Sequence, residues 1–126
     1  MQVTDYFSQV QDLLWRSSSV DCFEVEYEVK FTDVGIVHGI LWLIDGSMLQ
    51  FMELVSVKGD EITRLKYRFH LQDADDTMIF RYDNAPHYRE IPTHPHHKHV
   101  SGGDKPGESK EISFSDVLSE IANRVK

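Results

Sequence analysis

Residues 20–82 consist of short runs that alternate in polarity and are separated by tight turns, and this pattern constrains the fold more than any other feature. From Phe23 to Phe31, apolar residues alternate with charged ones, as is typical of a half-buried strand. Asp45-Gly46 is a strong hairpin signal, and Lys58-Gly59-Asp60 predicts a further turn. Strands joined by turns this short are antiparallel neighbours, so the pattern predicts a meander sheet.

The predicted sheet has five strands. They span about residues 23–31, 36–44, 48–57, 61–72 and 78–82. A helix is predicted before the sheet because apolar residues between Val3 and Leu14 recur at helical spacing. A second helix is predicted after Ser113, which with Asp116 resembles a capping box. The predicted fold class is α+β: an N-terminal helix, a five-stranded antiparallel meander sheet, a long Pro/His-rich loop and a C-terminal helix.

Residues 84–110 differ in composition from the rest of the chain. All four prolines lie there, together with Gly102-Gly103, which argues against a helix or a central strand. A loop of this length inside a compact domain is usually functional or disordered. The length of 126 residues is that of one ordinary domain. Residues 1–126 are therefore predicted to form a single domain, with 84–110 as a functional or partly disordered loop.

Charge is distributed unevenly along the chain, whose formal net charge is −8. Residues 1–60 hold ten acidic and three basic side chains, whereas residues 61–100 hold six of each and six histidines. The acidic total argues against unspecific coating of nucleic acid, but a local basic patch can still contact phosphate. The single Cys22 excludes an intramolecular disulfide, and no basic leader or membrane-length apolar run is present. We expect a cytoplasmic protein without membrane contact.

A first candidate site is the polar face of the fourth predicted strand. Its basic residues are spaced by two and are predicted to point the same way: Arg64, Lys66, Arg68 and His70. Arg81 and Asp83 are likewise predicted to share a face of the fifth strand. A phosphate-binding surface would use the planar fork of arginine. A solvated face, or salt bridges to the glutamates between Glu24 and Glu28, is the alternative that stays open.

A second candidate is the histidine segment, where His94, His96, His97 and His99 fall within six residues. Imidazoles can bind zinc or nickel. Four ligands from six contiguous residues can hardly surround one ion tetrahedrally, Pro95 stiffens the segment, and Lys98 adds a positive charge. We therefore predict no metal site and no cofactor. A metal-dependent enzyme that uses the histidine cluster stays open as an alternative.

A third candidate is general acid–base catalysis. RNA cleavage without a metal needs a base for the ribose 2′-hydroxyl, an acid for the leaving oxygen and cations for the phosphate. The residue types required occur at Arg68, His70, Arg81, Tyr82, His87 and 96–99. The alternative is that residues 83–86 form only a strand-ending turn. Walker, GxGxxG, HExxH and GxSxG motifs are absent from the sequence.

Three segments together resemble one known family. Residues 67–73 (YRFHLQD), 80–87 (FRYDNAPH) and 92–99 (PTHPHHKH) are similar to the TumE family of small prokaryotic toxins from type II toxin–antitoxin pairs. The resemblance covers about residues 20–125. His94 is a local departure, because an aromatic residue is expected before the Pro-His-His-Lys-His run, so His94 is a poor choice for an essential residue.

The resemblance implies a small helix-turn-helix antitoxin as partner and a metal-independent endoribonuclease activity on RNA. It places in or near the site, as catalytic residues, His87, His97, Lys98, Arg81 and His99, and, as substrate-binding residues, Arg68, His70, Asp83 and His96. Arg68 and Arg81 would bind phosphate, His87 or His97 would act as acid or base, and Lys98 would stabilise developing charge. The alternative function is a non-catalytic interaction module whose acidic first half docks on a basic antitoxin. A homodimer stays open.

Overall fold

The computed structural model describes residues 1–103 and 105–125. Helix α1 spans Val3–Arg16 and helix α2 spans Phe114–Arg124. The strands between them are β1 (Val20–Phe31), β2 (Val34–Leu43), β3 (Met48–Lys58), β4 (Glu61–Gln72), β5 (Met78–Asp83), β6 (His97–Val100) and β7 (Gly107–Glu108). All seven form one antiparallel sheet in sequence order. The predicted α+β class and meander are confirmed.

The prediction of five strands is wrong, because β6 and β7 extend the sheet beyond β5. They lie within 84–110, whose prolines and glycines argue against strand. Each proline falls outside the two strands, so β6 keeps the backbone groups that pair it with β5. With four and two residues, these strands are too short to show an alternation in sequence.

Both helices pack on the same face of the sheet, here called the covered face. The apolar stripe of α1 buries Val3, Phe7, Val10 and Leu14, and that of α2 buries Phe114, Val117, Leu118 and Ile121. Phe114 stacks on Phe51 of β3 with ring centroids 4.8 Å apart. The predicted capping box of α2 is present: Ser113 Oγ accepts from the Asp116 N–H, and Asp116 accepts from the Ser113 N–H. Trp15 lies off the buried stripe of α1 and is 79% exposed.

The opposite face of the sheet, here called the open face, carries no helix among the described residues. Its two ends differ in charge. Glu24, Glu26 and Glu28 lie on β1, whereas the basic residues lie on β4 and β5. Because β2 and β3 separate β1 from β4, about 14 Å lies between the two groups at a spacing of about 4.8 Å per strand. The glutamates therefore do not neutralise the basic end by direct salt bridges.

Candidate functional site: a cationic cavity on the open face

Strands β3 to β6 align the predicted site residues in two rows across the open face. One row contains Met52, Arg68, Asp83 and His97, and the next contains Gln50, His70, Arg81 and His99. Residues directly opposite on antiparallel strands have side chains within contact distance. The register therefore brings Arg68 and His70 of β4 next to Asp83 and Arg81 of β5, and β6 adds two histidines.

A cavity of about 360 Å³ opens on these rows. It is lined by Met52, Lys66, Tyr67, Arg68, Arg81, Asp83, Ala85, His87 and His97. The lining thus combines three permanent cations with one carboxylate and two imidazoles. Within the part of the chain that the structure describes, Lys66 and Arg68 form no ion pair, so their charge is available to an anionic ligand.

Arg64 does not belong to this surface, and the prediction that it shares a face with Lys66 is wrong. Leu54 pairs with Lys66 whereas Val55 pairs with Arg64, so Leu65 is an extra residue in a β-bulge. A bulge shifts the alternation by one residue. Arg64 therefore points to the covered face, where it pairs with Glu53 and donates to the carbonyl of Ile112.

Asn84 stabilises the bulge at the point where β5 ends. Its side-chain oxygen accepts from the Tyr67 N–H at 2.9 Å, and its amide nitrogen donates to the Leu65 carbonyl at 3.3 Å. These bonds satisfy backbone groups of β4 beyond the last paired residue of β5. Asn84 therefore stabilises the backbone of β4. It is the direct neighbour of Asp83, where a polar cluster begins.

Asp83 is the centre of that cluster and is buried at 7% exposure. Its Oδ1 lies 2.8 Å from His97 Nε2 and accepts from the Ala85 N–H at 3.0 Å. Its Oδ2 lies 3.5 Å from Arg81 Nε. A carboxylate with these neighbours is fixed in position and points its charge towards the cavity.

His97 is also buried, at 2% exposure, and both of its ring nitrogens face acceptors. Nδ1 lies 2.9 Å from the Pro95 carbonyl oxygen, and Nε2 faces Asp83 Oδ1. A carbonyl oxygen can only accept, so Nδ1 carries a hydrogen. With both ring nitrogens facing acceptors of the protein, His97 is placed to position Asp83.

Arg81 has unused hydrogen-bonding capacity. Its Nε is buried and forms no hydrogen bond with the described residues, although Asp83 lies close enough for an ion pair. An unsatisfied buried donor costs free energy. The side chain as a whole is 39% exposed and lines the cavity, so its outer N–H groups can reach an anion there.

Two further imidazoles flank Arg81 on the neighbouring strands, His70 on β4 and His99 on β6. Burial lowers the pKa of His70, and the charges of Arg81 and Arg68 lower it further. Burial also lowers the pKa of His99, as do His97 and Arg81, while Asp83 acts in the opposite direction. The lowered pKa favours the neutral form of both rings.

His87 and Tyr88 form the rim of the site in the segment after β5. His87 lines the cavity and is exposed. Tyr88 adopts a φ of 58°, in the left-handed region that bulky residues rarely occupy. Its ring lies edge-on to His97 and His99, with centroids 5.5 and 6.1 Å away. Tyr88 was not predicted, since nothing in its sequence context indicates this backbone conformation.

Four residues of the histidine segment do not line the cavity: His94, His96, Lys98 and His99. His99 lies next to the lining, with its ring centroid 5.2 Å from that of His97. His96 Nδ1 lies 2.8 Å from the hydroxyl of Tyr67 on the covered side, where burial raises the pKa of Tyr67 to about 12. Lys98 also faces the covered side, 3.6 Å from Glu120 and 4.7 Å above the Tyr82 ring. His94 Nδ1 lies 3.2 Å from the His87 carbonyl oxygen. Alternation along β6 explains why Lys98 points away from His97 and His99.

One group of three potential metal ligands occurs in the described ranges 1–103 and 105–125. It consists of Asp83, His97 and His99, whose donor atoms all lie within 4.8 Å of one another. Two of these residues come from the histidine segment, but the carboxylate comes from β5. The group therefore differs from the contiguous histidine site considered in the sequence.

These features define an α+β protein with a cationic, histidine-lined cavity on the uncovered face of its sheet. The family model described as Toxin TumE matches residues 10–125, and the chain therefore belongs to the TumE toxin family. No curated protein matches the chain, and no solved structure does. Family membership makes the chain a toxin of a toxin–antitoxin system and implies an antitoxin as its partner. Neither α1 nor α2 is long and apolar enough to cross a membrane.

Proposed function

We propose that this toxin is an endoribonuclease that cleaves RNA in the cavity of the open face without a metal ion. The observation that carries the proposal is the cavity lining, in which Lys66, Arg68 and Arg81 surround a single carboxylate. A volume of about 360 Å³ lies within the range of small-ligand sites. Arginine binds phosphate oxygens through two parallel N–H groups, and the partly exposed Arg81 side chain can present such a pair to the cavity.

The chemistry would be an internal transesterification. A base removes the proton of the ribose 2′-hydroxyl, the 2′-oxygen attacks phosphorus, and the P–O5′ bond breaks as an acid protonates the leaving oxygen. The products are a 2′,3′-cyclic phosphate and a free 5′-hydroxyl. Positioned imidazoles serve both proton transfers, and fixed cations stabilise the charge that develops on phosphate.

The geometry supports a modified assignment of roles. His87 is exposed at the rim of the cavity. His99 lies beside the lining, with its ring centroid 5.2 Å from that of His97, and its lowered pKa favours the neutral form, so these two would be the acid–base pair. His97 and Asp83 would position Arg81 and the substrate. Lys66 would replace Lys98 as the group that neutralises developing charge, because Lys98 faces the covered side.

The test is cleavage of single-stranded RNA by purified toxin in the presence of a chelator. We expect cleavage in the chelator, and we expect the double variant His97→Ala/Arg81→Ala to abolish it. An RNA with a 2′-deoxy sugar at the cleaved position should resist. Lys58→Ala, at an exposed lysine that ends β3, is the matched control and should retain full activity.

Undiminished cleavage by the double variant would show that the activity belongs to a contaminant. Loss of cleavage in the chelator would favour the metal-dependent alternative. Tight antitoxin binding without turnover of any RNA would favour the non-catalytic interaction module.

We further propose that the antitoxin is a small helix-turn-helix protein encoded beside the toxin gene, and that both act in the cytoplasm. The acidic edge at Glu24, Glu26 and Glu28 is exposed and complements a basic DNA-binding partner. Co-expression with the neighbouring open reading frame and recovery of a stable complex would test this. The mass of the purified toxin alone would decide between monomer and homodimer.

A further inference from the structure

We propose that Asp83, His97 and His99 bind one divalent transition-metal ion of the zinc or nickel type, and that the bound ion inhibits RNA cleavage. The binding claim stands on the geometry of three residues. The inhibition claim rests on the proposed ribonuclease function. The two claims can therefore fail separately.

The β5–β6 pairing brings the three ligands to one point on the open face. Asp83 lies directly opposite His97, and His99 follows two residues later on the same side of β6. The rings of His97 and His99 are 5.2 Å apart between centroids. All three donor atoms lie within 4.8 Å of one another, so small side-chain rotations would bring them around one ion at the zinc–nitrogen distance of about 2.1 Å.

The surroundings of His97 match those of a metal ligand. Metal-binding histidines usually donate their second ring N–H to a carbonyl or carboxylate oxygen. His97 Nδ1 faces the Pro95 carbonyl at 2.9 Å, which leaves Nε2 directed at Asp83 Oδ1, 2.8 Å away. The metal ion would replace the proton between these two atoms. The Ala85 N–H, 3.0 Å from the same oxygen, would hold the carboxylate as an outer-shell partner.

The donor set selects the class of ion. Two imidazoles and one carboxylate suit zinc, nickel and related transition metals, whereas magnesium and calcium prefer oxygen ligands alone. Three protein ligands leave a fourth position open, and it would face the cavity. Arg81, 3.5 Å from Asp83 Oδ2, opposes a dication, so we expect micromolar affinity rather than the tight binding of a structural zinc site.

Inhibition follows from the position of the ion. It would occupy the lone pair of His99 and replace the His97–Asp83 hydrogen bond that positions the cluster. A general base whose lone pair is bound to a metal cannot accept the proton of a 2′-hydroxyl. Free zinc or nickel ions in the cell would then inhibit RNA cleavage by binding at this three-residue site.

Calorimetric titration of ZnCl₂ into the untagged full-length protein tests binding. We expect one ion per chain, at least a tenfold loss of affinity in His99→Gln and in Asp83→Asn, and no response to MgCl₂. His38→Gln is the matched control, since His38 lies on β2 outside the cluster, and it should bind zinc normally. Circular dichroism of each variant verifies folding. No binding, or equal affinity in folded His99→Gln, would overturn the proposed site.

Cleavage assays separate the two proposals. Activity in chelator that is lost on adding zinc, over the same concentrations at which calorimetry shows the site filling, would support both. Activity that needs zinc would confirm the site and contradict both metal-free cleavage and inhibition. Cleavage unaffected by zinc at saturating binding would overturn inhibition alone. Cleavage by a protein that binds no zinc would overturn the metal site and leave the ribonuclease standing.

Discussion

Two clusters that each contain a carboxylate and an arginine lie on opposite faces of the same sheet. They differ in how completely their polar groups are paired within the protein. On the covered face, Glu53 is fully buried and is satisfied by Tyr6 at 2.6 Å and by Arg64 at 3.4 Å. On the open face, Asp83 meets Arg81 and His97, but Arg81 Nε has no hydrogen-bond partner among the described residues. The arginine of the covered cluster is almost enclosed, whereas that of the open cluster is partly exposed and lines the cavity. We therefore expect substitutions in the first cluster to act on stability and substitutions in the second to act on activity.

The covered cluster joins distant parts of the chain. Arg64 also pairs with Glu111 at 3.1 Å and donates to the Ile112 carbonyl, just before α2 begins. Burial raises the pKa of Glu53, while Tyr6 and Arg64 act against that rise. The network thus ties α1, β3, β4 and the entry to α2, and its loss should weaken the whole fold.

The largest expected effect is on stability. Arg64→Ala leaves Glu53 buried without its cation, which typically costs about 3–5 kcal/mol. Urea unfolding followed by circular dichroism measures the change. The same substitution on the open face, Arg81→Ala, is the control and should cost under about 1 kcal/mol, because that side chain is 39% exposed. Equal losses on both faces would refute the distinction.

The second effect is on activity. It is expected on the open face, whereas the largest loss of stability is expected on the covered face. Arg81→Ala removes a fixed cation from the cavity, and loss of one such charge-stabilising donor costs roughly 10²- to 10³-fold in rate. Single-turnover cleavage of RNA measures it. A folded Arg81→Ala toxin with normal activity would show that the open cluster does not carry the reaction.

The third effect is a pH dependence of stability. The pKa of His70 is lowered from its usual 6.5 by burial and by the charges of Arg81 and Arg68. The unfolded chain therefore takes up a proton at higher pH than the folded chain, and stability falls as the pH drops below 6.5 towards the lowered pKa. Denaturant titrations at pH 7.5 and 5.5 should show a larger loss for the wild type than for His70→Gln. An identical loss would show that His70 is not the responsible group.

The smallest effect concerns Lys98, which the family resemblance places among the catalytic residues. It lies on the covered side, and its pair with Glu120 at 3.6 Å is partly exposed. We expect Lys98→Ala to change stability by less than about 1 kcal/mol and to leave cleavage within threefold of the wild type. A hundredfold loss would instead favour the sequence-based role.

The local rules of strand and helix predict most of the fold. Alternation and turn residues locate β1 to β5, and helical spacing with the Ser113 cap locates both helices. They do not reveal β6 and β7, since four and two residues are too few for a periodic signal and prolines surround them. These strands form because β6 pairs with the edge of β5, and β7 pairs with β6. Such pairing depends on tertiary structure and is not encoded in a local sequence pattern.

The candidate site is predictable in its residue types and less so in its geometry. Period two places Arg68 with His70 and Arg81 with Asp83, and the register brings the two pairs together. The same rule fails at Arg64, because one bulge residue is invisible in the pattern. Whether His96 or His97 faces the cavity depends on where β6 begins, and the sequence does not specify that start.

The bulge at Leu65 also determines where β4 can change in length. Leu65 has no partner on β3, because Arg64 pairs with Val55 and Lys66 pairs with Leu54. The Leu65 residue is 52% exposed. A chain that lacks Leu65 would still oppose Arg64 to Val55 and Lys66 to Leu54, so both clusters would keep their faces. Loss of one residue between Tyr67 and Leu71 would instead exchange interior and exterior for the rest of the strand. We therefore expect β4 to tolerate loss of a residue at one point, which lies between the arginine that stabilises the fold and the lysine that faces the cavity.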